Sequence, residues 1–273
     1  MTAAPGCSPA ATAPLATGPE TSPGTALITG GARRIGAAIA RDLAAAGWRV
    51  AVHYHSSAAE AEALAAGIAA GGGQAVALAA DLAREAEVET LVERAAAALG
   101  PVTLLVNNAS TFEMDRIETM TRASWDAHIE PNLRAPVVLC QRFAAALPAD
   151  AQGNIVNLLD QRVLNLTPYF LSYTVSKVGL WALTQTLALA LAPRIRVNGI
   201  GPGPTLPSPR QSQEQFERQW SAMPLGRGTT PEEIAAAVRF ILAAPAMTGQ
   251  MIALDGGQHL AWALPARAAP LPE

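Results

Sequence analysis

The sequence predicts an α/β protein: a doubly wound parallel sheet with helices on both faces, folded as a single domain. Short apolar runs alternate with longer helical patterns from residue 25 onward, and Gly- and Pro-containing turns separate them. This alternation is typical of parallel strands joined by crossover helices. Half of the residues are hydrophobic, which supplies a sizeable core, and no linker divides the chain. We therefore expect one domain over residues 25–264.

The individual elements follow from apolar periodicity and from Gly and Pro breaks. A first strand at 26–28 runs into a helix that ends near Gly47. Thr230, directly before Pro231, is the expected N-cap of the last helix. The other strands are expected at 49–54, 74–79, 102–106, 155–159, 195–199 and 250–253, and the other helices at about 57–70, 84–99, 122–147, around 173–177 and at 231–242.

The two ends of the chain differ from the rest in composition. Residues 1–24 and 265–273 are rich in Ala and Pro, and we expect a disordered N-terminal extension and a flexible C-terminal tail there. The extension lacks a positive segment followed by a continuous apolar run, so a secretory signal is not expected.

Charge and cysteine content exclude several classes of protein. The net charge of −3 favours neither nucleic acid nor an anionic membrane as a partner. No apolar run approaches the roughly 18 residues of a spanning helix. Cys7 and Cys140 indicate neither a disulfide framework nor a metal site, and Cys140 lies on an apolar helical pattern as a buried thiol would. We expect a soluble, cytoplasmic protein without a bound metal.

A glycine-containing turn connects the first strand to the first helix. Gly30, Gly31 and Gly36 permit a tight turn there and the close approach of a pyrophosphate, which the N-terminus of the helix would stabilise. The spacing departs from G-x-G-x-x-G, so an ordinary strand–helix turn with a packing glycine is the alternative. The position on the first strand–helix unit favours a nucleotide.

The end of the second strand indicates which nucleotide is bound. NAD sites usually carry an acidic residue about 20 positions beyond the glycines, whereas this chain has His53–Ser57 there, without a carboxylate. A 2′-phosphate would meet Arg33, Arg34 and hydroxyl groups, so NADP (as NADPH) is favoured. Alternatively the arginines are solvated and His53 packs at the strand end. Together with those that the family resemblance described below implies, the predicted cofactor contacts are Gly30, Arg33, Arg34, Ile35, His55, Ser56, Ser57, Asp81, Leu82, Asn108, Ala109, Ser110 and Gly203.

Three sites at the carboxyl edge of the predicted sheet have structural alternatives to ligand binding. Asp81 could cap the following helix instead of contacting adenine. One residue of the Asn107–Asn108 pair is expected to serve the turn itself. Phe112, on the next loop, could stack on a flat ring or plug the core beneath the loop.

Tyr173 and Lys177 lie four residues apart on a predicted helix and so share one face. An ammonium beside a phenol lowers the pKa of the phenol, which would make Tyr173 a proton donor or acceptor near neutral pH. The preceding strand leads to Asp160 at the carboxyl edge, where ligands bind in such sheets.

These motifs, in this order, resemble the short-chain dehydrogenase/reductase family over about residues 25–257. The resemblance implies a Rossmann-type seven-stranded sheet, a nicotinamide cofactor and a homotetramer built from the long helices. It also adds Asn132 to a catalytic set with Tyr173 and Lys177, both of which would contact the cofactor. The matching residues are Thr29, Gly30, Gly36, Asp81, Asn107, Asn108, Ala109, Asn132, Tyr173, Lys177, Asn198, Gly199, Gly201, Pro202, Gly203, Asp255, Gly256 and Gly257.

Two departures from the family pattern point to a branch within it. Arg34 stands where a Gly is usual, and Asp160 stands where the catalytic Ser is usual. With Ser110 and Phe112 these residues resemble the pteridine reductases, which include bacterial dihydromonapterin reductases. The branch often has Arg where Ser56 stands, so a 2′-phosphate would depend more on its neighbours. The resemblance implies substrate contacts from Arg34, Ser110, Phe112, Asp160 and Tyr173, with Phe112 stacked on the pterin.

The activity implied is NADPH-dependent reduction of a 7,8-dihydropterin, such as dihydromonapterin or dihydrobiopterin, with dihydrofolate as a further candidate. Asp160 would help Tyr173 to deliver the proton; alternatively it caps its loop, and Gln161 or a water takes the serine's place. A carbonyl reductase that tolerates Asp160 is the second hypothesis, and a non-catalytic NADP-binding sensor is the third.

Residues 204–228 are predicted to cover the substrate, because they follow the sixth strand and are rich in Pro. Phe216, Trp220 and Met223 could line the pocket or hold this covering segment closed, and the sequence alone leaves both open.

Overall fold

Seven strands form one parallel sheet, as the alternating pattern predicts, in the order β3-β2-β1-β4-β5-β6-β7. The computed structural model describes residues 23–208 and 210–261. The strands are β1 (Thr25–Ile28), β2 (Arg49–Tyr54), β3 (Ala75–Ala79), β4 (Val102–Asn107), β5 (Gly153–Leu158), β6 (Ile195–Pro202) and β7 (Met251–Leu254).

Helices cover both faces of this sheet. They are α1 (Arg34–Ala45), α2 (Ala58–Ala70), α3 (Glu85–Leu99), α4 (Arg122–Ile129), α5 (Ala135–Ala146), α6 (Leu171–Leu191), α7 (Gln213–Ser221) and α8 (Pro231–Ala243). One core cluster packs α1, α2 and α8 against the sheet, and the other packs α3 and α5 against the opposite face. Along β1, Ile28 faces the first cluster and Leu27 the second, because successive side chains of a strand point to opposite faces. The central strands are therefore apolar on both sides.

The strand order places a crevice at the carboxyl edge between β1 and β4. The chain first moves from β1 outward to β3 and then returns to β4 on the other side of β1. The loops after β1 and β4 therefore leave in opposite directions, which opens the crevice where ligands bind in doubly wound sheets.

The helix predicted at 122–147 is interrupted, which corrects the expectation of one continuous helix. A π turn at Glu130–Arg134 separates α4 from α5. Pro131 lies inside it and Pro136 just beyond, and neither has an N–H group to continue the α-helical ladder. Asn132 lies within the π turn and is fully buried.

The covering segment contains a helix that the sequence analysis did not identify. α7 begins with a capping box in which Ser212 accepts from the N–H of Gln215 and Gln215 accepts from the N–H of Ser212. The S-x-x-Q spacing was the available signal. The predicted N-cap Thr230 forms the same arrangement with Glu233 at the start of α8.

Three further expectations concern the ends of the chain, membrane-spanning helices and Cys140. Residues 1–22 of the predicted extension (1–24) and the whole predicted tail (265–273) lie outside the described residues. No described helix is long and apolar enough to cross a membrane. Cys140 is buried as predicted, and burial raises the pKa of its thiol to about 12.

Candidate active site

Two adjoining cavities occupy the carboxyl edge of the sheet. The cofactor cavity, of about 630 Å³, lies against the glycine turn and the ends of β2, β3 and β4. The substrate cavity, of about 720 Å³, lies between the loops after β4 and β5 and the covering segment. Arg34, Ile35, Asn108 and Ser110 line both of them.

The structure groups the predicted site residues in these two cavities. Of the predicted cofactor contacts, twelve line the cofactor cavity: Gly30, Arg33, Arg34, Ile35, His55, Ser56, Ser57, Asp81, Leu82, Asn108, Ala109 and Ser110. Gly203, Tyr173 and Lys177 line the substrate cavity instead. The predicted substrate contacts Arg34, Ser110, Phe112, Asp160 and Tyr173 all line the substrate cavity. Asn132 lines neither.

The glycine turn fits a bound phosphate. A Cβ on Gly36 would lie 2.3 Å from the carbonyl oxygen of Gly30, so only glycine permits this approach. Gly30 itself has a φ of +59°, where glycine is unstrained. Within the described residues no side chain caps the N-terminus of α1, and its first turn carries no acid. The free N–H groups of that turn and the helix dipole therefore suit an anion.

Arg34 occupies a backbone conformation that favours glycine. Its φ is +53°, which explains why a Gly is the usual residue there. The guanidinium donates to the carbonyl oxygens of Pro207 at 2.9 Å and Leu206 at 3.3 Å, and so joins the covering segment to the glycine turn. Burial, with the neighbouring Arg33, lowers the pKa of Arg34. Arg33 itself is exposed and lies 3.7 Å from the carboxylate of Glu60.

His53 packs at the end of β2, in agreement with the structural alternative. Its Nδ1 accepts from the N–H of Gly30 at 3.0 Å, and its Nε2 lies 3.0 Å from the carbonyl oxygen of Ala80. The ring is 1% exposed. Burial lowers the pKa of His53 to about 4, so the ring is neutral at physiological pH.

The loop after β3 is held by local bonds of Asp81. Its carboxylate accepts from the N–H of Ala83 at 2.9 Å and lies 3.4 Å from the Nε of Arg84. Asp81 therefore does not cap α3, because the N-cap of that helix is Arg84 and it receives no side-chain cap bond. Asp81 instead holds the loop before the helix and lines the cofactor cavity.

Both asparagines at the end of β4 serve the fold. The Asn108 side chain donates to the carbonyl oxygens of Thr29 at 2.8 Å and Gly30 at 3.0 Å, which fastens β4 to the glycine turn. Asn107 is buried and donates to Asn157 at 2.8 Å. The expectation that one of the pair is structural therefore extends to both.

Tyr173 and Asp160 form a hydrogen-bonded pair in the substrate cavity. The phenol donates to Oδ2 of Asp160 at 2.8 Å. The other oxygen, Oδ1, accepts from the N–H of Arg162 at 2.8 Å. Asp160 therefore caps its loop, as the structural alternative predicts, and its second oxygen holds the phenol of Tyr173. Lys177 donates from Nζ to the carbonyl oxygen of Leu158 at 2.8 Å and lies 5.8 Å from the centre of the Tyr173 ring.

The expected lowering of the Tyr173 pKa is wrong for this arrangement. Burial raises the pKa of Tyr173 well above its ordinary value, and the carboxylate of Asp160 raises it further. Burial also lowers the pKa of Lys177 to about 8, because the interior disfavours the ammonium. Tyr173 consequently carries its hydrogen at neutral pH and directs it at Asp160.

Asn132 acts on the loop that carries Phe112. Its side chain donates to the carbonyl oxygen of Thr111 at 2.9 Å and accepts from the Thr111 N–H at 2.8 Å. It also donates to Ser176 on α6 at 3.1 Å. The π turn thus fixes the beginning of this loop.

Phe112 belongs to an aromatic wall of the substrate cavity, not to a core beneath the loop. Its ring is stacked on Phe170, with centres 4.3 Å apart, and meets the edge of Tyr173 at 4.6 Å. Arg210 lies 5.6 Å from the centre of Phe112, and Arg162 lies 5.1 Å from that of Phe170. The sequence analysis missed Phe170, although an aromatic residue three positions before Tyr173 was a visible signal. Such a wall suits a flat ring.

A buried cluster of Asp115, His128 and Ser172 lies behind this wall and was also missed. Ser172 donates to the Asp115 carboxylate from its N–H at 3.1 Å and from its hydroxyl group. His128 Nε2 accepts from the N–H of Glu113 at 2.9 Å, so its Nδ1 carries the hydrogen. That Nδ1 lies 2.9 Å from the carbonyl oxygen of Ser124 and 2.7 Å from the hydroxyl of Ser172. The Ser172 hydroxyl therefore donates its hydrogen to the Asp115 carboxylate. The three side chains join the Phe112 loop to the N-terminus of α6, where a negative charge is favourable.

The covering segment divides its aromatic residues between two roles. Phe216 is buried and lines the substrate cavity, whereas Trp220 packs against Phe216 with centres 5.4 Å apart and does not line the cavity. Arg210 donates to the carbonyl oxygen of Phe112 at 2.6 Å, which adds a second attachment to that of Arg34.

Comparisons with known proteins agree with this geometry. Residues 30–259 match the family model described as Enoyl-(Acyl carrier protein) reductase. A 3-oxoacyl-(acyl-carrier-protein) reductase from Synechocystis is 34% identical over 85% of this chain and 95% of its own length.

Two solved structures are also similar. FolM alternative dihydrofolate reductase 1 from Brucella canis, complexed with NADP, is 51% identical with a TM-score of 0.87, over 91% of this chain and 99% of its own. A short chain dehydrogenase from Burkholderia cenocepacia in complex with NADP is 36% identical with a TM-score of 0.80, over 85% and 96%. The motifs, the sheet order and these relatives together lead to one conclusion: the chain belongs to the short-chain dehydrogenase/reductase family of oxidoreductases.

Proposed function

We propose that this oxidoreductase reduces a 7,8-dihydropterin with NADPH. The observation that carries the proposal is the pair formed by Tyr173 and Asp160 at 2.8 Å, facing a cavity walled by Phe112. A carboxylate in place of the family's serine suits a substrate whose ring nitrogen needs a proton, and the aromatic wall suits the flat ring.

The cofactor prediction is confirmed, since the solved relatives hold NADP. The N-terminus of α1 would receive the pyrophosphate where Gly30 allows close approach, and the hydroxyl groups of Ser56 and Ser57 with His55 would receive the 2′-phosphate. The bound cofactor supplies the hydride. Lys177 would bind the ribose beside Tyr173.

The protein side of the reaction is the delivery of one proton. Hydride and proton add across a C=N bond of the pterin ring, so the ring nitrogen next to the reduced carbon must be protonated. Tyr173 keeps its hydrogen at neutral pH because its pKa is raised. Asp160 holds the phenol in place, takes up a proton from solvent through the cavity and passes it to the Tyr173 phenolate after the transfer, so the pair acts as one unit.

The similarity to FolM alternative dihydrofolate reductase 1, at 51% identity, supports the pterin assignment. The similarity to a 3-oxoacyl-(acyl-carrier-protein) reductase, at 34%, favours the second candidate, reduction of a carbonyl group. Against the second candidate stands Asp160, because a carboxylate would repel a developing oxyanion that a serine hydroxyl would stabilise.

The deciding experiment measures NADPH oxidation with two panels of substrates. One panel contains dihydromonapterin, dihydrobiopterin and dihydrofolate, and the other contains ketones, aldehydes and 3-oxoacyl thioesters. We expect turnover on the first panel only. Turnover on the carbonyl panel alone would overturn the proposal, and NADPH binding with no turnover on either would favour the non-catalytic sensor.

Assembly as a homotetramer is also part of the proposal. Apolar side chains on one stripe of α6 are exposed, with Val175 at 42%, Val178 at 38% and Leu189 at 85%. Exposed apolar patches of this kind mark interfaces. Sedimentation of the full chain should give four copies, and Leu189→Glu should give smaller species; a wild-type monomer would contradict this.

A further inference from the structure

We propose that His53 is a positioning residue that sets the affinity for NADP by holding two walls of the cofactor cavity together. One wall is the glycine turn, and the other is the loop that follows β3. This inference depends only on the binding of NADP. It is therefore independent of whether the substrate is a pterin or a carbonyl compound.

His53 contacts both walls through its two ring nitrogens. Nδ1 accepts from the N–H of Gly30 at 3.0 Å, and Nε2 lies 3.0 Å from the carbonyl oxygen of Ala80. The backbone adds a third bond, from the N–H of Gly31 to the carbonyl oxygen of His53 at 2.9 Å. Gly30 lines the cavity on one side, and Asp81, directly after Ala80, lines it on the other.

The chemistry of these contacts selects one form of the ring. The Gly30 group is a donor, so Nδ1 must be unprotonated. The Ala80 group is an acceptor, so Nε2 must carry the hydrogen. Neutral histidine in this tautomer supplies both an acceptor and a donor from one rigid ring. Gly30 and Gly31 have no side chains that could anchor the glycine turn. The His53 ring is therefore well placed to fix the position of Gly30.

The alternative is that His53 only fills space, since the ring is 1% exposed. Two variants distinguish these alternatives, because each one retains the hydrogen-bonding group of only one of the two ring nitrogens. In His53→Asn the amide oxygen lies near the place of Nδ1 and can still accept from Gly30. In His53→Gln the amide nitrogen can reach the place of Nε2 and donate to Ala80, but the bond to Gly30 is lost.

The test is the dissociation constant of NADPH, measured by fluorescence titration of the full chain, together with the midpoint of thermal unfolding. We expect His53→Gln to weaken NADPH binding about tenfold and His53→Asn about two- to threefold, which is the range of single hydrogen bonds. The kcat at saturating NADPH should stay within about twofold of the wild type in both.

A matched control is His259→Asn, because His259 bonds to Asp255 and lines neither cavity. It should leave the NADPH dissociation constant unchanged. The proposal is overturned if the two His53 variants bind NADPH as the wild type does, whatever their thermal stability, or if His53→Asn binds more weakly than His53→Gln. Weaker binding in His53→Gln than in His53→Asn supports it.

Discussion

The phenol of Tyr173 donates a hydrogen bond of 2.8 Å to the carboxylate of Asp160. The bond spans 13 residues of sequence and joins α6 to the loop after β5. It makes the protonation of the phenol depend on the carboxylate, because removing the phenol hydrogen would place two negative charges together. The first two predictions test this coupling.

Asp160→Ser and Asp160→Ala should both lower kcat on dihydropterins by about 100-fold or more, the usual contribution of a positioned acid–base group. Only the Ser variant should gain activity on ketones, because only it offers a hydroxyl to an oxyanion. Steady-state kinetics on both panels would show this. Retained pterin turnover in Asp160→Ala would remove the carboxylate from the mechanism.

Tyr173→Phe should lower kcat by about 10²- to 10⁴-fold while the NADPH dissociation constant stays within about threefold, because the phenol acts on the proton. Tyr169→Phe is the matched control: Tyr169 lies on the loop directly before α6, contacts Arg116 and does not line the substrate cavity. An unchanged rate in Tyr173→Phe, or an equal loss in the control, would contradict this role.

Arg34→Gly should separate stability from function. Relief of the left-handed backbone at φ +53° should leave the free energy of unfolding unchanged or raise it by up to about 1 kcal/mol, while KM for the substrate rises about tenfold as the guanidinium is lost.

Urea unfolding and steady-state kinetics would measure the two effects of Arg34→Gly. Arg33→Gly is the comparison, since Arg33 has an extended backbone with a φ of −139° and no strain to relieve. A larger loss of stability in Arg34→Gly than in Arg33→Gly would contradict this prediction, because it would show that Arg34 stabilises the fold.

The stability of the protein should fall between about pH 6.5 and pH 4 because of His53. Its pKa is about 4 in the folded state, below the ordinary value of 6.5, so the unfolded chain binds the proton first. Stability from the neutral ring is therefore complete above pH 6.5 and is lost as the pH falls toward 4, by about 3 kcal/mol in all. The nearby charges of His55 and Arg94 act in the same direction.

Urea titrations from pH 7 to pH 4 on the wild type and His53→Asn would measure this loss. The variant should show a shallower dependence, because its amide does not titrate. Parallel curves for the two proteins would assign the acid sensitivity to other groups.

The strands and most helices could be predicted because burial on both faces leaves an apolar run in the sequence itself. Asp160, Phe112 and Arg34 were also identifiable, since departures from a family pattern can be seen at single positions. The pKa of Tyr173 could not be predicted, because it depends on burial and on a partner brought close by the fold. Asp115, His128 and Ser172 were missed for the same reason, since each acts through bonds to residues distant in sequence, and the sequence placed His53 at the strand end without showing its bonds to Gly30 and Ala80.

The Asp115 cluster has a consequence for how a substrate could enter. The loop with Phe112 and the helix with Tyr173 are joined through buried side chains and should move as one rigid body. The covering segment is attached differently, through exposed side-chain bonds from Arg34 and Arg210 to backbone oxygens. The covering segment can therefore move away from the substrate cavity while the distance between Phe112 and Tyr173 stays fixed.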